Sequence, residues 1–182
     1  MSLETFSTSR LLAERLRSDH LSDIRTMDQN ELFMAKLGGV RDEAASIQYL
    51  ERNLAHWAQH GFGLWVLRDR ASGTPIGRAV LRHLQVGDDD EVEVGYGFMP
   101  DYWGRGLATE ITLACLEIAR DPLGLESVVA ITLPSNVASQ RVMEKAGLQY
   151  QRQITHEGVL HVLFRTPRAG GPSAAPPRRS TS

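Results

Sequence analysis

Apolar residues along this chain change period several times, and each change predicts an element. Residues 10–16, with Leu12 and Leu16 among polar neighbours, have the period of a strand. Ser18 or Asp19 is placed to cap a short helix carrying Leu21, Ile24 and Met27. Behind Asp42, the residues Ile47, Leu50, Leu54, Trp57 and Ala58 recur at three- and four-residue steps, which predicts a helix closed by Gly61. Residues 63–68 and 76–83 read as strands flanking a turn-rich linker. The acidic turn Gly87-Asp88-Asp89-Asp90 leads into residues 91–98. This segment sets Val92, Val94, Tyr96 and Phe98 on one face and Glu91, Glu93, Gly95 and Gly97 on the other.

Residues 107–120 form the strongest helical stripe, Leu107, Ile111, Ala114 and Ile118, stopped at Asp121-Pro122 because the residue before proline leaves helical geometry. Residues 128–132 are β-branched and apolar, as in a buried strand. Asn136 opens a further helix that Gly147 closes, and strands near 148–152 and 159–165 complete the pattern. Antiparallel strands followed by strand–helix–strand–helix predict an α+β (α/β three-layer) domain over residues 1–166. Residues 167–182 are rich in Pro, Gly, Ser and Arg, have nothing to bury, and are expected to be disordered.

Composition narrows the classes. A 42% apolar and 23% charged content is that of a soluble globular chain. The net charge of −2 speaks against a general nucleic-acid binder. The tail holds three arginines and no acid, so residues 1–166 alone carry −5, which suits a cationic partner. The single cysteine, Cys115, allows no internal disulfide and sits in an apolar helical stripe as a small buried hydrophobe. No apolar run reaches about 18 residues and the first ten lack a signal-peptide core, so a cytoplasmic protein with no membrane partner is expected.

The segment Tyr102-Trp103-Gly104-Arg105-Gly106-Leu107-Ala108-Thr109-Glu110 joins a strand to a helix through two glycines one residue apart. Such a loop lets backbone approach a ligand and aims the helix's first N–H groups at a phosphate. Three ligand classes use it. A dinucleotide site wants a third glycine where Thr109 stands, a Walker loop wants a Gly-Lys-Ser/Thr that this chain lacks, and the third class is the pyrophosphate of coenzyme A.

At these residues the chain resembles the GNAT N-acetyltransferases, whose signature is Gln/Arg-x-x-Gly-x-Gly/Ala before a helix. The matching window is Asp101-Tyr102-Trp103-Gly104-Arg105-Gly106, with Asp101 in place of Gln or Arg. The phrase from Tyr102 to Glu110 is similar to the branch that acetylates ribosomal-protein N-termini, the RimJ/RimL type. Thr8-Ser9-Arg10-Leu11-Leu12, Pro75-Ile76-Gly77, Glu93-Val94-Gly95-Tyr96 and the block from Asn136 to Leu148 resemble that branch in the same order.

The resemblance implies a GNAT fold with a mixed, mostly antiparallel sheet between helices. It implies acetyl-CoA as donor, with no metal. Backbone N–H groups of Trp103, Gly104, Arg105, Gly106, Leu107 and Ala108 would bind pyrophosphate, with the Thr109 hydroxyl and the Arg105 guanidinium as further contacts. The pantetheine arm would pair with backbone near Phe98 and Met99, where a splay or bulge leaves groups free. Asn136 and Ser139 would contact the cofactor, with Ser139 protonating the leaving thiolate. Many GNAT enzymes place a tyrosine acid where Val142 stands, whereas this branch commonly lacks it.

Acetyl transfer to an amine needs a neutral, oriented amine and a protonated leaving group. Glu93, on the strand before the loop, matches a position where the branch often carries a glutamate and is the expected base. His83 is a candidate for the acceptor cleft, although a histidine without a visible partner is more often structural. Asp88, Asp89 and Asp90 read as a solvated turn, and Tyr49, Trp57 and Trp65 as core. The expected activity is direct attack in a ternary complex on a protein N-terminal α-amine. Small-molecule amines (aminoglycoside, polyamine or amino acid) are the alternative acceptors, and a non-catalytic acyl-CoA sensor is the alternative from another class. Either a monomer or a homodimer is compatible with the sequence.

Overall fold

The strand order β1-β2-β3-β4-β5-β6-β8-β7 forms one eight-stranded sheet in the computed structural model, which describes residues 3–167. The tail expected to be disordered lies, beyond Pro167, outside the described residues. The strands are β1 (Thr5–Ser7), β2 (Leu11–Arg15), β3 (Leu64–Asp69), β4 (Pro75–Val86), β5 (Asp89–Phe98), β6 (Val129–Thr132), β7 (Gln149–His156) and β8 (Val159–Arg165). The helices are α1 (Leu21–Asp28), α2 (Glu31–Met34), α3 (Glu43–His60), α4 (Leu107–Arg120) and α5 (Val137–Lys145). Every neighbouring pair is antiparallel except β5 and β6, which are parallel. The architecture is therefore α+β with a mixed sheet.

The caps fall where the side chains dictate. Asp42 accepts the Ala45 N–H at 2.8 Å to start α3, and Asn136 accepts the Ser139 N–H at 3.3 Å to start α5. Ser18 and Asp19 do not cap α1. They lie in a 3-10 turn, and the ring of buried His20 accepts the Arg17 N–H instead. Two elements escape periodicity because they are too short to show one, the three-residue β1 and the four-residue α2. The acidic turn is also shorter than expected, since Asp89 and Asp90 continue the ladder opposite Val86 and Gln85.

Helices cover the sheet on both faces. Tyr96 of β5 reaches Ser139 of α5, and α4 packs on β4 and β5 beside it. On the opposite face, α2 lies against Gly97, where a Cβ would come within 2.8 Å of the Phe33 ring. Only a glycine admits that ring to the backbone of β5. The same face buries a charge cluster: Asp28 of α1, fully buried, accepts from Arg78 and from Arg41 at 2.7 Å each. Both guanidiniums also stack on the Tyr49 ring, at 4.6 and 4.3 Å.

Two histidines give the fold a pH dependence whose sign the hydrogen bonds set. His20 Nδ1 accepts the Arg17 N–H, and His56 Nε2 accepts the His83 N–H while its Nδ1 faces the Phe62 carbonyl. Each ring must be neutral to accept, and burial lowers both pKa values from 6.5. A folded pKa below the unfolded one gives stability that is full above about 6.5 and lost as pH falls through the folded values. Thermal melts should show Tm falling from pH 7.5 to 5.0, with a shallower slope in His56→Gln. An equal slope in the variant would remove His56 as a source.

Candidate active site

The parallel pair β5–β6 holds at a single position, Glu93 opposite Val129, after which the strands part. β6 continues along β8 through Thr132, while β5 continues along β4 to Phe98. Alternate residues of an antiparallel strand turn their backbone groups to opposite neighbours. The Met99 N–H donates to the Ile76 carbonyl across β4, so the odd-numbered residues of β5 face β4. The N–H and C=O of Tyr96 and the N–H of Phe98 therefore face the gap. This is the splay expected before the loop, with Glu93 at its vertex.

The loop stands at the mouth of the gap. Gly104 and Gly106 have φ of 72° and 77°, a left-handed conformation that side chains resist. Gly106 is the N-cap of α4, no side chain caps the helix, and its first bond runs from the Glu110 N–H to the Gly106 carbonyl. The N–H groups of Leu107, Ala108 and Thr109 precede that bond and have no carbonyl behind them in the helix, as an anion seat requires. Leu107 is buried in the core while its N–H opens the helix. Thr109 is half-buried in the first turn.

Some expected contacts are already engaged within the chain. The Trp103 N–H donates to the Pro100 carbonyl, and its half-exposed indole donates to the Phe98 carbonyl at 2.7 Å. With the Met99 N–H spent on Ile76, the pantetheine-facing donors of this segment reduce to Phe98 and Tyr96. The Arg105 guanidinium lies over the Tyr102 ring at 5.1 Å.

Asn136 caps α5 with Oδ1 and donates from Nδ2 to Thr132 Oγ1 at 3.0 Å, which ties the helix start to the end of β6. Ser139 Oγ lies 2.9 Å from the Tyr96 hydroxyl. Burial raises the Tyr96 pKa to about 12, so the phenol is neutral at physiological pH. In the sequence Tyr96 stands only in the strand's alternation and in the Glu93–Tyr96 match, since its hydroxyl partner lies 43 residues away.

Glu93 is buried, with its Oε2 2.8 Å from Arg82 Nε, while Oε1 is bonded by no described residue. The Arg82 pKa is raised, chiefly by the Glu93 charge. Glu93 is thus a buried, ion-paired carboxylate at the edge of the gap and not part of an apolar core. From Phe98 to Glu93 five steps of β5 span about 17 Å. This distance is comparable with an extended pantetheine arm.

Other candidates lie elsewhere. His83 has partners, with Nδ1 3.0 Å from Asp90 Oδ2 and its ring 4.3 Å from that of His60. It is exposed opposite Val92, past the vertex. Trp57 and Trp65 are core. Cys115 is fully buried and burial raises its pKa to about 12, so it offers no nucleophile. Among the described residues no group of His, Cys, Asp or Glu is arranged to hold a metal, and no helix is long and apolar enough to cross a membrane.

An uncapped helix N-terminus thus stands at one end of the backbone-lined gap and a buried carboxylate at the other. Residues 10–149 match the family model of the acetyltransferase (GNAT) domain, and the chain belongs to the GNAT acetyltransferase family. It is 29% identical over 176 residues to the FsC-acetyl coenzyme A-N(2)-transacetylase of Aspergillus fumigatus, covering 91% of this chain and 71% of that protein. A GNAT-family acetyltransferase structure from Bordetella pertussis superposes with a TM-score of 0.80 at 24% identity, covering 90% of this chain and 99% of the other. The structure of RimL, the ribosomal L7/L12 alpha-N-protein acetyltransferase, in complex with coenzyme A superposes with a TM-score of 0.74 at 12% identity, covering 89% and 97%.

Proposed function

We propose that this enzyme carries the acetyl group of acetyl-CoA to a primary α-amine by direct attack in a ternary complex, as a member of the RimJ/RimL-like branch. The observation that carries the reading is the single β5–β6 pair. It puts the Glu93 carboxylate at the vertex of a gap whose mouth holds an uncapped helix N-terminus. Backbone donors from Gly104 to Thr109 would hold the pyrophosphate, and the free groups of Tyr96 and Phe98 the pantetheine amides. Acetyl-CoA supplies a thioester carbonyl open to an amine.

The chain's residues then have three tasks. Glu93, its Oε2 fixed by Arg82, takes the amine's proton with Oε1, directly or through a water. Arg82 balances the buried carboxylate. Ser139 gives its hydroxyl proton to the departing sulfur, with Tyr96 donating to Ser139 Oγ so that the serine proton is turned outward; water then reprotonates Ser139 and takes the proton held by Glu93, so that the thiol and the amide leave with the charge balanced. Cys115 is sealed in the core, so it offers no thiol for a covalent intermediate.

An α-amine, with a reference pKa of about 7.7–8.0, needs less help to become neutral than a lysine near 10.4. RimL is named for α-N-protein acetylation, which favours a protein N-terminus. The Aspergillus relative is named an FsC N(2)-transacetylase and not a protein N-terminal acetyltransferase, which keeps small-molecule amines as the second reading. Thiol release from acetyl-CoA, screened against N-terminal peptides, amino acids, polyamines and aminoglycosides, tests both. Tight CoA binding without release on any amine would instead make the protein a sensor.

Within an active preparation, Ser139→Ala and Tyr96→Phe should each lower kcat by about tenfold or more, with CoA affinity unchanged. The double variant should lose little beyond either single one, because the two hydroxyls act as a unit. Strict additivity would dissolve the pair.

A further inference from the structure

The phosphate loop is held from below by a turn about a hundred residues away in sequence. Glu110, in the first turn of α4, receives the Thr8 hydroxyl at 2.5 Å and the Arg10 backbone N–H at 2.8 Å on Oε1. Its Oε2 receives Arg10 Nε at 2.7 Å, with Arg10 Nη2 in ion-pair contact at the same distance. These bonds are why the Glu110 pKa is lowered despite the opposing effect of partial burial. The remaining fork of the same guanidinium, Nη1, donates to the carbonyl of Arg105 at 2.6 Å. Arg105 is the residue between the two left-handed glycines.

We infer that Arg10 is a positioning residue for the donor's phosphates: it sets the orientation of the Arg105–Gly106 peptide. In a planar trans peptide the carbonyl and the following N–H point in opposite directions. The guanidinium draws the Arg105 carbonyl toward the β1–β2 turn, so the Gly106 N–H is turned away from it. No described residue accepts from that N–H, which leaves it for an anion. A flip of this peptide changes ψ of Arg105 and φ of Gly106, the glycine leaves its half of that rotation unhindered, and a flipped peptide would present an oxygen to the phosphate. A rigid planar fork fixed on Glu110 by two nitrogens holds its third in place, which a lysine cannot do.

The inference rests on the phosphate-loop reading and deepens it. Charge alone is a competing account, because Arg10, Arg70, Arg105 and Asp69 line one depression of about 210 Å³ beside the loop. Arg70 separates the two. It donates to the Thr8 carbonyl at 2.7 Å and has no bond to the loop.

The test is calorimetric titration of the full chain with coenzyme A. Arg10→Gln should raise Kd by about 10–100-fold, the range for losing a hydrogen bond from a charged group. Arg70→Gln, which removes the same charge, should change Kd by less than about threefold. Arg10→Lys should recover only part of the loss. Glu110→Gln, which keeps the shape and releases the fork, should weaken binding in the same direction. In turnover, Arg10→Gln should raise KM for acetyl-CoA while kcat and the acceptor KM stay near wild type.

Arg10 is half-exposed, so its replacement opens no core, and a thermal melt accompanies each titration. Wild-type Kd in a folded Arg10→Gln or Glu110→Gln protein would overturn the inference, as would equal losses in the Arg10 and Arg70 variants. Failure of the wild type to bind coenzyme A would overturn the loop reading itself, which is a separate result.

Discussion

Replacing Glu93 by glutamine is expected to lower kcat by about 10²- to 10⁴-fold, the usual contribution of a placed general base. Glutamine keeps the volume and can still accept from Arg82, so the vertex of the gap should stay intact and CoA affinity should be unchanged. A second signature follows from the ion pair. Arg82→Met should also slow turnover, but through a carboxylate left buried without its partner, so this variant should lose stability where Glu93→Gln does not. Full turnover in Glu93→Gln would remove the carboxylate from the chemistry.

Asp28→Ala should destabilise the fold by about 3–5 kcal/mol, the cost of breaking a buried ion pair by removing one partner. Arg78 and Arg41 both use the Asp28 Oδ1, and the aspartate is fully buried. Without it Arg78, 5% exposed and stacked on Phe33 and Tyr49, keeps its charge with no counterion. Arg41 is closer to solvent and can turn outward. At about 2–4 °C per kcal/mol for a chain of this size, Tm should drop by about 6–20 °C. The double variant Asp28→Ala/Arg78→Met should recover part of that loss, since it removes the orphaned charge as well. A drop below about 2 °C in the single variant would contradict the account. The cluster ties α1 and α3 to β4 beside Gly97, so its loss should also loosen the wall that α2 builds on β5.

Much of this could be read from spacing. The helix from Leu107 to Arg120 lies where its apolar stripe and Asp121-Pro122 put it, and Asp42 and Asn136 cap the helices they precede. These are short-range effects, decided within a few residues by backbone geometry and side-chain reach. The loop between Gly104 and Gly106 was legible for the same reason, because a left-handed backbone is a local demand. β1 and α2 were not, since elements of three and four residues have no period to show.

The partners were beyond sequence. Nothing near Glu93 in the chain announces Arg82 on the neighbouring strand, and Tyr96 gains a role only where α5 brings Ser139 to it. Glu110 reads as an ordinary acid in a helix's first turn until the β1–β2 turn folds beneath it. The sequence determined most of the elements, the two-glycine loop before α4 and the likeness to the family. The tertiary structure alone decided where β5 and β6 part, which carboxylate sits at that vertex, and which arginines hold it and the loop. Strand pairing and buried ion pairs join residues tens of positions apart, and only the folded sheet puts them within hydrogen-bond distance.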